Sequence, residues 1–493
     1  MTALNQANLG SLSIPVPTYD RSQLKVGIVH FGVGGFHRAH QAMYLDQLME
    51  QGKALDWGIC GVGVMPFDLR MKEAMQAQDC LYTLVEKAPD GSWKPRIIGS
   101  IVQYLYAPDD PEAVIEKMAD PATRIVSMTV TEGGYNFHPV TGEFDDTNPD
   151  VQADLAPGAV PKTTFGLITE ALVRRRSRGI EPFTVMSCDN IQGNGHVAQE
   201  VFAAFARLRD PELGEWVESN VTFPNSMVDR ITPVTTDDDR AEISERFDVE
   251  DAWPVVCEPF TQWVLEDKFP SGRPPLEDVG VQVVPNVMPY ELMKLRLLNA
   301  SHQALCYFGY LAGYRFVHEV TQDQLFANFL LDYMNREATP TLAPVPGIDL
   351  DEYRLQLIER FSNAAVRDTV ARLCAESSDR IPKWLLPVIQ ENLAASRDVT
   401  LSAAVVASWA RYAEGVDEQG EPIKVVDRLA DTLQEIAAQQ RDDPLAFVKN
   451  RELFGDLAAE PAFTEPYLNT LNSLHSKGAR ATLEALATRS TPV

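Results

Sequence analysis

The chain has 493 residues, too many for one hydrophobic core, so two or three domains are expected. Its formal net charge of -27 disfavours nucleic acid and anionic membranes as partners, and no apolar run of about 20 residues is present to span a bilayer. Six cysteines are dispersed without a CxxC pair, and the first residues lack the basic start and apolar stretch of a secretory signal. These features predict a cytoplasmic protein with reduced thiols.

In the first half of the chain, short β-branched runs alternate with polar or helical stretches. The predicted strands are residues 26–29, 57–64, 82–87, 96–106, 123–132 and 183–190. Helices are predicted at 39–52 and 162–179, the second with a basic last turn that suits the helix dipole. Strands that alternate with helices indicate an α/β fold, with a parallel sheet covered on both faces.

The pattern changes near residue 286, and from there to the end the apolar spacing is that of helices. We therefore expect an N-terminal α/β domain over residues 1–285 and a mainly α-helical domain over residues 286–493. The active site is expected in the cleft between them, since ligands often bind where two domains meet.

A glycine-rich turn follows the first predicted strand. Gly32 would permit a tight turn, and Gly34 would let the backbone approach a pyrophosphate held at a helix N-terminus. His37 stands where a Rossmann-type fingerprint has its third glycine, so helix and strand must be further apart or Ala39 must make the close contact. His37 and His40 would also suit two metal ligands, but the sequence offers no third ligand beside them, and no metal is predicted.

A carboxylate after the second strand would accept both adenosine ribose hydroxyls and so select NAD over NADP. Asp68, in MPFDLR, is the first candidate, although it lies further along than the usual ~20 residues. Arg70 beside it would instead tolerate a 2′-phosphate, and a solvated loop aspartate is a further interpretation. NAD is the favoured cofactor, with NADP as the alternative.

The predicted helix at 291–303 carries four polar groups on one arc. At about 100° per residue, Lys294 and His302 lie about 80° apart, Asn299 lies about 60° beyond His302, and Glu291 projects between the first two. The other positions are largely apolar, so the lysine is expected to be buried with a partner or a depressed pKa. Such an amine is a competent general base, whereas a lysine that extends to solvent is the alternative.

Two further segments carry polar residues in apolar surroundings. In CDNIQGNG, Asn190 follows a strand and is placed to donate to a substrate oxygen at the sheet edge, although Asn and Gly are also ordinary turn residues. In TFPNSMVDRITP, Asp229 and Arg230 lie between prolines, and a structural ion pair is the simplest interpretation of Arg230.

Together and in this order, four motifs resemble those of the polyol-specific long-chain dehydrogenases. They are GVGGFHRAH, SCDNIQGNG, TFPNSMVDRITP and KLRLLNASHQ, and FPNSMVDRITP in particular looks like the family's signature. The resemblance covers essentially the whole chain and is greatest to the bacterial members that act on mannitol. It implies a Rossmann-type domain followed by a helical substrate domain.

The resemblance also implies a secondary-alcohol dehydrogenase with Lys294 as its general base and acid. Asn190 and Asn299 would hold the reacting oxygen and stabilise its developing negative charge. His302 would orient substrate hydroxyls and support Lys294. Glu291 would pass protons between Lys294 and solvent.

The other implied residues bind the two ligands. The residues expected to line the polyol site are Val228, Asp229, Arg372 and Lys383. Those expected to meet the cofactor are Gly32, Gly34 and Phe36 at the pyrophosphate and Asp68 at the adenosine ribose. His37 and His40 become packing or hydrogen-bonding residues around the first helix.

The implied reaction is metal-independent hydride transfer between NAD and C2 of D-mannitol, which gives D-fructose. D-arabinitol, D-sorbitol and the sugar acids fructuronate and tagaturonate remain alternative substrates, because Arg372 or Lys383 could bind a carboxylate. A regulator that senses NADH without chemistry would not need a buried Lys/Asn/His set. The family resemblance favours a monomer.

Overall fold

The computed structural model describes residues 1–136 and 144–489. It contains two compact units, the first formed by residues 1–88 and 92–288 and the second by residues 89–91 and 289–493. A parallel sheet lies in the first unit and α-helices dominate the second, so the predicted fold class is confirmed. Within the predicted strands at 123–132 and 183–190, the structure has shorter strands at Ile125–Met128 and Thr184–Ser187.

The strands are short and are confined to the first unit within the described residues. In chain order they are β1 (Thr2–Ala3), β2 (Val26–Phe31), β3 (Gly58–Gly63), β4 (Tyr82–Lys87), β5 (Trp93–Ile98), β6 (Ile101–Tyr106), β7 (Ile125–Met128), β8 (Thr184–Ser187), β9 (Ser226–Asp229), β10 (Val249–Glu250), β11 (Val255–Cys257), β12 (Gln262–Glu266) and β13 (Gln282–Val284).

The α-helices of the first unit alternate with these strands. Those described are α1 (Gly35–Ala39), α2 (Gln41–Glu50), α3 (Leu69–Ala77), α4 (Pro111–Ala119), α5 (Pro149–Leu155), α6 (Thr164–Arg178), α7 (Asn194–Arg209), α8 (Pro211–Asn220), α9 (Asp237–Phe247) and the start of α10 (Met288–Met293).

The second unit continues from α10 through two π-helical segments and a succession of α-helices. The π-helical segments are Lys294–Asn299 and Met334–Ala338. The α-helices described are α11 (Ala300–Leu311), α12 (Val317–Gln322), α13 (Gln324–Tyr333), α14 (Leu350–Phe361), α15 (Val370–Cys374), α16 (Ser377–Trp384), α17 (Leu386–Ala394), α18 (Thr400–Tyr412), α19 (Ala430–Ala438), α20 (Arg451–Phe454) and α21 (Pro461–Arg489), the last kinked at Gly478.

The central sheet of the first unit has five parallel strands in the order β6-β3-β2-β7-β8. Successive side chains point to opposite faces, so each strand contributes to two cores. Ile28 and Ile125 pack with Leu45 of α2 on one face, whereas Val29 and Val126 pack with α4 and α6 on the other. Burial on both faces explains why these strands are apolar throughout rather than alternating.

Two predicted elements are divided in the structure. The predicted strand at 96–106 is β5 and β6, which belong to different sheets and are separated at Gly99. A Cβ at Gly99 would lie 2.8 Å from the Pro17 side chain, and its N–H donates to the buried Asp46 carboxylate at 2.9 Å. The predicted helix at 39–52 is interrupted at His40, whose φ of -126° and ψ of -95° separate α1 from α2.

The second unit is organised around α11, most of whose residues are buried and which packs against α13, α15 and α18. A helix that is buried on nearly all sides cannot rely on apolar contacts alone to fix its rotation. A hydrogen bond to another helix does so here, since the Tyr307 hydroxyl donates to Ser377 Oγ of α16 at 2.5 Å.

Glu337, in the second π-helical segment, is fully buried and holds the N-terminus of α18. Its carboxylate accepts hydrogen bonds from the N–H groups of Leu401 (2.7 Å) and Ser402 (2.8 Å) and from the Ser402 hydroxyl. Burial raises the pKa of Glu337 to about 7 in spite of these donors. The folded protein therefore keeps this proton at pH values where the unfolded chain has lost it.

Because the folded pKa is raised, the contribution of Glu337 to stability is greatest at low pH and falls as the pH rises from about 4.5 to about 7. As the pH rises through this window, the unfolding free energy of wild type should fall by up to about 3 kcal/mol. That of Glu337→Gln, which lacks the titrating group, should not show this decrease. Melting temperatures of both proteins at pH 5, 6, 7 and 8 measure the effect. Glu242→Gln, at an exposed ion pair with Arg246, is the control, and a pH-independent difference for Glu337→Gln would contradict the assignment.

Candidate active site

The glycine-rich turn has the geometry that the sequence predicts. Gly32 follows β2 with a φ of +87°, and a Cβ there would lie 2.1 Å from the carbonyl oxygen of Thr129. Gly34 is exposed, has an ordinary φ of -86°, and leaves open space where a Cβ would stand. Gly32 is thus required by the fold, whereas nothing in the fold requires Gly34. An absent side chain at an open N-cap suits a backbone that a phosphate must approach.

His37 is buried in α1 and stacks on His30 of β2, with ring centroids 3.4 Å apart and planes 12° apart. Neither of its ring nitrogens has a well-formed hydrogen bond to the described residues. Burial, followed by the charges of neighbouring groups, places the pKa of His37 well below its usual range, so the ring is neutral. His37 therefore fills the space between helix and strand that a third glycine would remove.

His40 interrupts the helix and binds the backbone. Its Nε2 lies 3.0 Å from the Gln262 carbonyl oxygen, and its ring contacts Phe36, Tyr44 and Trp263. His40 is therefore a hydrogen-bonding and packing residue. No group of three or more His, Cys, Asp or Glu side chains arranged to hold a metal ion occurs in residues 1–136 and 144–489.

Asp68 lies closer to the second strand than its sequence position suggests. The 3-10 turn Pro66–Asp68 folds back, and Asp68 Oδ2 accepts hydrogen bonds from the N–H groups of Val64 and Met65, each at 2.9 Å. A Cβ at Gly63, the last residue of β3, would lie 2.7 Å from Asp68 Cβ. The carboxylate therefore lies at the end of β3. Because it caps this turn, Asp68 is not a freely solvated loop aspartate.

Arg70 is bound to a different part of the first unit. Its guanidinium stacks over the Trp253 ring, 4.3 Å from the centroid. The cation–π contact with Trp253 thus holds the Arg70 guanidinium in place.

Asn190 follows β8 and is exposed, and its neighbour Asp189 is buried and holds the backbone in place. Asp189 accepts hydrogen bonds from the Thr131 N–H at 2.7 Å and the Tyr135 hydroxyl at 2.8 Å, which join the loops after β7 and β8. Burial raises the pKa of Asp189 to about 6. Sequence reasoning assigned no role to Asp189, although a carboxylate in an apolar strand end is a signal for such a role.

Two of the predicted motifs are joined by side-chain hydrogen bonds. Asn194 Nδ2 donates to the Ser226 carbonyl oxygen at 2.7 Å, and the Ser226 N–H donates to Asn194 Oδ1 at 2.9 Å. Asn225 Oδ1 accepts the Gly195 N–H at 2.9 Å. This network fixes β9, which carries the buried Val228 and Asp229, beside the segment that carries Asn190.

Arg230 is a structural residue, as predicted. Its guanidinium donates to the carbonyl oxygens of Glu258 (3.0 Å) and Ala39 (2.7 Å) and pairs with Glu86 at 2.6 Å. These bonds join the end of β9 to α1 and β4.

In the second unit, the helix that carries Lys294 is not a regular α-helix. Residues Lys294–Asn299 form a π-helical segment between α10 and α11, and the Ala300 N–H donates to the carbonyl oxygen of Leu295, five residues earlier. In such a segment residues five apart lie over one another, whereas in an α-helix they are about 140° apart. Lys294 and Asn299 therefore share one face, which corrects the angular estimate made from a regular helix.

The polar groups on this face are buried and partly unpaired. Glu291, Lys294, Asn299 and His302 are each 8% exposed or less. Asn299 Nδ2 and His302 Nε2 have no hydrogen-bond partner among the described protein atoms. A buried polar atom without a partner is costly, and a bound ligand is one way to supply that partner.

His302 lies among cations. Burial, and then the charges of Arg372, Arg360, Arg380 and Lys294, place the pKa of His302 well below its usual range. The neutral ring packs against Phe361 with centroids 4.6 Å apart. The structure thus brings together the predicted Lys294, His302 and Arg372.

Arg372 lies in α15 and is paired with Asp368, through Nε to Oδ1 at 2.6 Å and Nη2 to Oδ2 at 2.5 Å. Sequence reasoning missed Asp368, although its i,i+4 spacing from Arg372 is the signal for an ion pair. Lys383 is exposed in α16.

Two family models match this chain. The mannitol dehydrogenase Rossmann domain matches residues 26–278, and the mannitol dehydrogenase C-terminal domain matches residues 286–475. The chain belongs to the mannitol dehydrogenase family. The predicted resemblance to the polyol-specific dehydrogenases is confirmed, as is the prediction of an enzyme of that class.

Several relatives are similar to this chain over nearly its whole length. Mannitol 2-dehydrogenase of Phaeosphaeria nodorum is 48% identical over 98% of this chain and 85% of its own, and that of Neosartorya fischeri is 46% identical over 97% and 98%. The ternary complex of Pseudomonas fluorescens mannitol 2-dehydrogenase with NAD and D-mannitol is 45% identical, with a TM-score of 0.91 over 99% of this chain and 100% of that one. A substrate-free D-sorbitol dehydrogenase is 40% identical, with a TM-score of 0.89 over 98% and 100%.

The two glycines of the turn lead to separable predictions. Gly32→Ala should lower the melting temperature, because the added Cβ meets the Thr129 carbonyl oxygen and the left-handed φ is strained. Gly34→Ala should melt like wild type but bind NADH about tenfold or more weakly, because the methyl group enters the space assigned to a phosphate. Thermal unfolding and NADH fluorescence titration measure the two effects. Wild-type NADH affinity in Gly34→Ala would show that the phosphate lies elsewhere.

Proposed function

We propose that this protein is a mannitol 2-dehydrogenase, which transfers hydride between NAD and C2 of D-mannitol and so interconverts D-mannitol and D-fructose. The proposal is supported by relatives of that name at 46–48% identity over almost the whole chain. Its chemistry rests on one observation, the buried π-helical segment that places Lys294 and Asn299 on one face with an unpaired amide N–H.

The glycine-rich turn of the first unit fits a dinucleotide. Gly32 and Gly34 would hold the pyrophosphate with Phe36, and Asp68 would accept the adenosine ribose hydroxyls. Asp68 Oδ2 is used by the turn, but a carboxylate has further acceptor positions for a ribose. Its negative charge would also repel a 2′-phosphate, which favours NAD over NADP. When bound, NAD supplies the acceptor for the hydride that leaves C2.

The residues of this chain would manage the proton and the oxygen. A neutral Lys294 amine accepts the proton of the C2 hydroxyl as the hydride leaves, and returns it in the reverse reaction. Asn190 and Asn299 donate hydrogen bonds to the reacting oxygen and stabilise its negative charge. Because an ammonium and two amides polarise the oxygen, this mechanism requires no metal ion.

Further residues would bind substrate and move protons. His302, neutral and unpaired at Nε2, would bind a substrate hydroxyl beside Lys294. Val228, Asp229, Arg372 and Lys383 would line the polyol site. Glu291, one helical turn before Lys294 and likewise buried, would carry the proton between Lys294 and solvent.

A second candidate is the same chemistry on another polyol. A D-sorbitol dehydrogenase has the same fold at 40% identity, so D-sorbitol is the first alternative to D-mannitol. D-arabinitol and the sugar acids fructuronate and tagaturonate are further alternatives.

Lys294→Ala tests the general base. Removal of the amine should lower turnover about 10²- to 10⁴-fold, because the hydroxyl proton has no acceptor. Added small amines should restore part of the activity. Lys449→Ala, at an exposed ion pair in the same unit, is the matched control and should have wild-type turnover. Wild-type-like turnover of Lys294→Ala would refute the role of this lysine.

Chelator treatment and a substrate panel test the reaction as a whole. NADH and NADPH oxidation would be followed with D-fructose, xylulose, fructuronate and tagaturonate before and after treatment with EDTA. We expect NADH-dependent reduction of D-fructose that survives the chelator. Loss of activity with EDTA would overturn the metal-free mechanism, and a preference for fructuronate would change the substrate.

A further inference from the structure

The charge of the Arg372 guanidinium is balanced by the Asp368 carboxylate. Asp368 accepts hydrogen bonds from both Nε and Nη2, which form one of the edges through which arginine binds a carboxylate. The Asp368 side chain is only 7% exposed, whereas the Arg372 side chain is 44% exposed. The buried carboxylate is therefore held along the Nε–Nη2 edge of a more exposed guanidinium.

The backbone around this pair is fixed as well. The Val317 N–H donates to the Asp368 carbonyl oxygen at 2.9 Å, and the Val370 N–H donates to the Arg315 carbonyl oxygen at 3.0 Å. The Thr369 hydroxyl caps α15 by accepting the N–H of Arg372 at 3.3 Å. The pair is thus presented by a rigid turn and differs from the mobile ion pairs of an ordinary surface.

The position of the pair determines what its charge can do. The helix α15, which carries Arg372, packs against α11, which carries His302, and Gln303 Nε2 donates to the Leu373 carbonyl oxygen at 3.3 Å. The charge of Arg372 also contributes to the lowered pKa of His302, the ring that we assign to the substrate hydroxyls. Arg380 also affects His302, but its Nη1 donates to the carbonyl oxygens of Arg372 (3.1 Å) and Leu373 (3.0 Å). Asp368 thus supplies a negative charge within a cluster of cations.

The geometry points to Asp368 as a specificity-determining residue that makes the substrate site select uncharged polyols and ketoses over sugar acids. It compensates the charge of Arg372 and leaves three guanidinium N–H donors, which can bind hydroxyl oxygens. A substrate carboxylate at Arg372 would meet the like charge of Asp368, and this repulsion would be strong at such short range. The inference rests on the proposed function, since it takes Arg372 to contact the substrate.

Two substitutions at one position separate charge from packing. Asp368→Asn keeps the size of the side chain and removes its charge, whereas Asp368→Glu keeps the charge and disturbs the packing. The ratio of kcat/KM for D-fructuronate to that for D-fructose, with NADH, is measured for each. We expect Asp368→Asn to raise this ratio about ten- to a hundredfold, and Asp368→Glu to leave it within about threefold of wild type, whatever happens to overall turnover.

The double variant Asp368→Asn/Arg372→Gln should lose the increased ratio, because the gain depends on the released guanidinium. Glu242→Gln, at the i,i+4 pair with Arg246 in the first unit, is a matched charge-removing control and should keep the wild-type ratio. Thermal unfolding confirms that each variant is folded.

An unchanged ratio in folded Asp368→Asn, or an equal increase in Asp368→Glu, would overturn the inference and leave the proposed function intact. Failure of wild type to reduce D-fructose would instead overturn the proposed function, and the inference with it. If Asp368→Asn does not fold, the affinities of Asp368→Ala for D-gluconate and D-sorbitol are measured instead. A selective increase in affinity for the anion D-gluconate would support the inference. Equal changes for both ligands would refute it.

Discussion

The candidate chemistry depends on one change in backbone hydrogen bonding, the i to i+5 spacing within Lys294–Asn299. An α-helical segment of the same sequence would direct Lys294 and Asn299 to different faces. The π-helical segment places them on one face, from which α11 continues regularly to His302. Residues of other helices stabilise this segment. The Arg296 guanidinium pairs with Glu391 at 2.6 Å, and the Arg296 carbonyl oxygen accepts a hydrogen bond from the Tyr333 hydroxyl at 3.2 Å.

The two units fix their polar residues by different means. In the first unit, loops that follow parallel strands are joined by buried side chains such as Asp189, Asn194 and Asn225. In the second unit, the position of a side chain is set by the helix that carries it and by ion pairs such as Arg372 with Asp368. Loops allow new contacts with little change of fold, whereas an α-helix allows a change of face only through an irregularity such as a π turn.

The electrostatic surroundings of the proposed substrate residues are a second feature of the second unit. Neutral His302 lies among several cations, and its burial and their charges act in the same direction on its pKa. A neutral imidazole can both donate and accept a hydrogen bond, which matches a polyol hydroxyl. At Arg372 the Asp368 carboxylate balances the charge of the guanidinium, so under the proposed function a substrate would meet a compensated charge at that position.

The amino-acid sequence was enough to predict the fold class, the family and most of the candidate residues. Apolar strand runs, the turn at Gly32 and Gly34, and four ordered motifs are local features, and local spacing is enough to predict them. Tertiary structure alone decided the division of the strand at Gly99 and the return of Asp68 to the end of β3, because each depends on which distant groups pack there. It also decided the π-helical segment, whereas the i,i+4 spacing of Asp368 and Arg372 was a local signal for their ion pair. A sequence periodicity assumes one regular helix, and it cannot reveal where surrounding contacts stabilise an extra residue in a turn.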